Sequence, residues 1–114
     1  MLLTSDTEDL FRGFNLFSFL DAAAAKSFGA EMAHFYMERM PVDIVLKEKQ
    51  FAFKSQQIIE KMAAQIYSHK QKNRLNTYKI AQMCNAFKWE LKDAGYNDDY
   101  VNKLTQWFVV RVKT

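Results

Sequence analysis

The chain has 114 residues, 49% of them apolar and 25% charged, with a formal net charge of +3. That is one domain's worth of sequence in an ordinary globular balance, which excludes intrinsic disorder and allows a single hydrophobic core. Three glycines and one proline are too few for a β-sandwich or barrel, whose turns recur about every 8–12 residues.

The breakers fall at Gly13, Gly29, Pro41 and Gly95, and the long segments between them read as helices. Ser5-Asp6-Thr7-Glu8 matches a capping box, with Ser5 as cap and Glu8 returning the hydrogen bond, so a short helix is expected up to Gly13. A second helix opens after Asn15. Its apolar stripe is Phe17, Leu20, Ala24, Phe28, Met32 and Phe35, at three- and four-residue steps. Gly29 weakens this helix by up to about 1 kcal/mol relative to alanine, and Pro41 ends it.

Asp43 is the expected cap of a long third helix whose stripe is Phe51, Ser55, Ile58, Ile59, Met62, Ala63 and Ile66. Unbroken from Val45 to Lys72 it would span about 42 Å. A globule of this size has a radius of gyration of about 13 Å, so such a helix would overhang it or pack on a second copy. Thr77 is the expected cap of a fourth helix carrying Ile80, Met83, Cys84, Phe87, Leu91 and Ala94, with Gly95 at the positive-φ position after its end. Asn97 or Asp98 starts a last helix with Val101, Leu104, Trp107 and Phe108 inward; the β-prone run Val109-Val110-Arg111-Val112 is expected to fray or pair as a short strand.

Charge is unevenly divided along the chain. Residues 1–46 carry seven acids against three bases, and residues 47–114 carry thirteen bases against six acids. Asymmetry of this kind points to a partner surface. The basic concentration is His69-Lys70-Gln71-Lys72-Asn73-Arg74 with Lys79, and no acid lies between Lys61 and Lys79. At a junction of two helices these cations suit phosphates, with Tyr67 or Tyr78 for stacking; they also suit the negative end of a helix dipole without any ligand. A helix-turn-helix is not formed, because helix pattern continues through Asn85 with no three- or four-residue turn. The second candidate surface is the cluster Leu10, Phe11, Phe14, Phe17 and Phe19, which places aromatics on more than one helix face.

Signals for chemistry are sparse. Glu31-Met32-Ala33-His34 has the Glu-x-x-His spacing of di-iron bundles, but the other histidine, His69, has Ile66 at that offset and the second half-site is missing. Cys84 is the only cysteine and sits on an apolar stripe, so a buried, inert thiol is expected. There is no Gly-rich phosphate loop and no cofactor motif. The first residues lack the basic and apolar regions of a signal peptide, and no apolar run exceeds four residues, against the roughly 20 needed to span a membrane; a cytoplasmic location is expected.

These observations give an all-α fold, a bundle of four to five helices with one long central helix, self-associating as a homodimer. The expected function is a non-enzymatic interaction or regulatory protein that binds a protein partner through Phe11, Phe14 and Phe17 and through Lys70, Lys72, Arg74 and Lys79. The alternative is a nucleic-acid-binding accessory protein using the basic junction 69–79.

Overall fold

The computed structural model describes residues 16–114, with side chains from Leu20 onward. It contains four α-helices: α1 (Leu16–Arg39), α2 (Glu48–Lys72), α3 (Thr77–Asp93) and α4 (Asp98–Lys113), with no strand among the described residues. The capping box at Ser5 and the short helix up to Gly13 lie outside them.

Local chemistry explains most of the boundaries. α1 stops at Arg39, two residues before Pro41. α2 opens at Glu48 rather than Val45. Asp43 does not cap it, because four residues lie between it and Glu48; instead the Gln50 side chain accepts from the Lys47 backbone N–H at 3.2 Å. α3 is capped by Asn76 rather than Thr77: the Asn76 Oδ1 accepts from the Lys79 N–H at 2.8 Å, and Thr77 is already helical. Asn97 caps α4 through the Tyr100 N–H. Gly95 has φ +94°, and its N–H donates to the Lys92 carbonyl while that of Tyr96 reaches back to Leu91. This is the double bond of a Schellman ending, which a left-handed residue makes possible. The run Val109–Val112 does not fray into a strand. It completes α4, with Val112 buried.

The helices alternate in direction. Asp21 meets Lys79, Gly29 meets Met83 and His34 meets Glu90, so α1 and α3 run parallel. Phe87 stacks on Phe108 at 4.3 Å between ring centroids, across the antiparallel pair α3 and α4. Phe51 packs on Tyr100 and the Lys70 ammonium reaches the Arg111 carbonyl, so α2 and α4 are parallel neighbours. Phe28 stacks on His69 and closes the ring of helices between α1 and α2.

The tightest packing joins α1 and α3. Ala22, Ala25, Gly29, Ala33 and Tyr36 are the buried positions of α1, together with Phe28 and Met32, and Met40 just past its end is buried as well. Leu20 and Ala24, expected inside, are exposed. Small side chains turn this face inward because they let two backbones approach. The core continues through Ile58, Met62 and Ile66 of α2, Met83, Phe87 and Leu91 of α3, and Val101, Leu104 and Phe108 of α4. At the far end Tyr36, buried completely, shares a hydrogen bond with Tyr100, and Tyr96 donates to the Met40 carbonyl. These bonds fasten the α1–α2 connection to the α3–α4 turn.

Candidate partner-binding end

Alternating directions bring the starts of α1 and α3 and the ends of α2 and α4 to one end of the bundle. That end holds Lys70, Lys72, Arg74, Lys79, Arg111 and Lys113, and the acid it contains in the helices is Asp21. Lysines in the last turns of α2 and α4 face the negative ends of those helix dipoles. The remaining cations exceed what two dipoles require.

The expected basic residues do not act alike. Lys79 is engaged inside the fold. Its ammonium lies 3.2 Å from Asp21 Oδ2 and 2.8 Å from the Arg74 carbonyl, with the side chain only 14% exposed. It joins α3 to α1. Lys72 and Arg74 are exposed on the rim of a pocket of about 210 Å³ floored by Ala25 and Leu75. His69 lines the same pocket, stacked on Phe28 at 4.0 Å, and burial lowers its pKa against the opposing effect of Glu31. Lys70 turns the other way, donating to the Arg111 carbonyl at 3.4 Å.

Between α2 and α4 lies a larger cleft of about 590 Å³, lined by Tyr67, Lys70 and Arg111 over a floor of Ala63 and Ile66. Tyr67 is 66% exposed. Neither Lys70 nor Arg111 makes an ion pair among the described residues. The segments 61–89 and 100–114 contain no acid, and the cleft is built from these two. Leu20, Tyr78 and Val110 are also exposed toward this end. Arg111 and the cleft escape a reading along the chain because Arg111 lies 32 residues beyond Lys79, the last cation of the basic junction. The usable signal was the second acid-free stretch.

Phe11 and Phe14 lie outside the described residues. Phe17 falls within α1, but its side chain is outside the description, as are Leu10 and Phe19. His34 Nε2 meets Glu90 Oε2 at 3.3 Å, a bridge between α1 and α3 on an open surface. No group of three or more metal-binding side chains occurs among the described residues. Cys84 is buried and unpaired, its thiol pKa pushed up to about 11 by desolvation with Lys113 opposing. No described helix is long and apolar enough to cross a membrane. Comparison with protein-family models, curated proteins and solved structures finds no match to this chain.

Proposed function

We propose that the chain is a non-enzymatic interaction module that binds and modulates an acidic macromolecular partner at the basic end. The observation that supports this reading is the cleft between α2 and α4, where Lys70 and Arg111 flank an exposed tyrosine with no Asp or Glu side chain on its walls. Cations there supply attraction and on-rate, and the aromatic and apolar side chains supply contact area. An acidic protein segment and a nucleic acid are the two partner classes such a surface fits, the first through the cations and the second also through the position of Tyr67.

The test is a binding titration at two salt concentrations against an acidic peptide and an oligonucleotide. Binding to at least one should weaken as salt rises and weaken further in the double variant Lys72→Gln/Arg74→Gln. No binding to either at low salt refutes the reading. Self-association belongs to the same proposal. Val42, Val45 and Phe53 are exposed near the start of α2, and a homodimer would cover such side chains. Light scattering on the eluting protein measures its mass directly, and a monomer at micromolar concentration removes the dimer.

A further inference from the structure

We infer that the α2–α4 cleft seats one nucleotide of a single-stranded nucleic acid, its base against Tyr67 and its phosphate between Lys70 and Arg111. The inference rests on the basic-end reading above and names the partner.

Three features of the cleft select this occupant over an acidic peptide. The first is the ring. Tyr67 is the aromatic residue on the cleft wall and is 66% exposed, and its face offers a flat apolar surface that any base can stack on. The second is the floor: Ala63, Ala64 and Ile66 give an apolar strip for the body of a planar ligand, with Gln71 and Thr114 as polar neighbours on the walls. The third is continuity of charge. Lys70 and Arg111 stand on one flank of the last turn of α2, and Lys72 and Arg74 stand on the other, beside the second pocket. A strand leaving the cleft around this turn meets cations in succession, as a regularly charged backbone requires.

The cleft volume, about 590 Å³, falls in the roughly 300–1,000 Å³ range of small-ligand sites. A base paired inside a duplex keeps its faces covered and cannot reach Tyr67, so the site discriminates single strands from double strands. Recognition is independent of sequence, because stacking and phosphate contact are available to every nucleotide.

The experiment is fluorescence anisotropy of the full chain with a labelled 12-nucleotide single strand, the matching duplex and a polyglutamate peptide, each at two salt concentrations. Single-strand binding should exceed duplex binding. Tyr67→Leu should weaken it about tenfold, the size expected for one lost stacking contact, with the salt slope unchanged. Tyr67→Phe should keep most of the affinity. Arg111→Gln should reduce the salt slope by about 0.7, one phosphate contact on a single strand. All these side chains are exposed, and matching circular dichroism melts confirm that the variants fold.

If the single strand binds but Tyr67→Leu and Arg111→Gln are silent while Lys72→Gln/Arg74→Gln is not, the cleft assignment is wrong and the basic end stands. If polyglutamate binds and the oligonucleotide does not, the partner is an acidic protein and the inference is overturned. If nothing binds at low salt, the underlying reading fails as well.

Discussion

Replacing Gly29 by alanine sets two effects against each other. In an unencumbered helix the change would stabilise by up to about 1 kcal/mol, since glycine is the poorer helix former. Here an added Cβ would lie 2.0 Å from the Met83 carbonyl oxygen and 2.8 Å from its carbon. The neighbour is backbone inside α3, so no side chain can swing away and the two helices must separate by more than an ångström. Forcing atoms into a packed interior costs about 1–3 kcal/mol and occasionally more, and separation also loosens the contacts of Ala25, Ala33 and Tyr36. Taking about 3 kcal/mol for the clash and subtracting about 1 for helix propensity leaves a net loss near 2 kcal/mol. For a domain of this size that lowers the melting temperature by about 8 °C. Urea unfolding followed by circular dichroism measures it, with Gly95→Ala as a contrast. At Gly95 no atom lies within 4 Å of the added Cβ and the penalty comes from φ +94° alone, about 1 kcal/mol. A stabilised Gly29→Ala would show that the α1 and α3 backbones do not touch there.

Four further outcomes follow from the packing and the ionisable groups. Phe108→Ala removes one ring of the stacked pair with Phe87 and should cost about 3–5 kcal/mol, read from the same urea curves. Lys79→Met should cost about 1–2 kcal/mol through the lost charge-assisted bonds to Asp21 and the Arg74 carbonyl, and should reduce oligonucleotide binding less than Arg111→Gln does; an equal or larger binding loss contradicts its structural assignment. Burial lowers the His69 pKa in the folded state, so protons bind the unfolded chain more readily. The stability this group contributes is complete above about pH 6.5 and is lost as pH falls through the folded value; wild type should therefore lose more urea resistance than His69→Gln between about pH 7 and pH 5, and parallel curves would refute it. Cys84, with its thiol pushed up to about 11, should react with a disulfide reagent at about pH 8 only after denaturant is added.

The parts of the fold that were legible in the sequence are those controlled by bulky residues and by breakers. Pro41 and Gly95 mark real ends, and the stripes Ile58-Met62-Ile66 and Met83-Phe87-Leu91 are buried as their spacing requires. α1 was misread for a physical reason. A stripe stepped back from Phe28 to the large Leu20 takes in Ala24 on the way, whereas the buried face runs through Ala22, Ala25, Gly29 and Ala33. Hydrophobicity scales reward size, but the contact with α3 rewards its absence, because close backbone approach needs residues with little or no side chain. The cap assignments at Asp43 and Thr77 failed for a related reason. At α3 several polar residues compete, and Asn76 wins because its side chain meets the N–H of its own third neighbour, Lys79; at α2 the contact runs the other way, from the Lys47 N–H to Gln50.

Charge shows most clearly what a linear reading loses. Along the chain the acids precede the bases, as if one half of the molecule were negative and the other positive. Folding up and down four times erases that division and creates another. Asp21 from the acidic half lands beside Lys79 from the basic half, and the two neutralise one another. Meanwhile the last turn of α2 and the last turn of α4 deliver Lys70 and Arg111, 41 residues apart in sequence, to opposite walls of one cleft. What survives from sequence to structure is local: an acid-free run stays acid-free wherever it is carried. Two such runs placed on parallel neighbouring helices bring together Lys70, Lys72, Arg74 and Arg111, none of them in an ion pair among the described residues, and a cluster of like charge is destabilising until an anion meets it. The self-repulsion of that end therefore works in favour of binding, and neutralising Lys72 and Arg74 should raise stability slightly in low salt while lowering affinity. Opposite signs from one double variant separate a surface shaped for a partner from one that merely decorates helix ends.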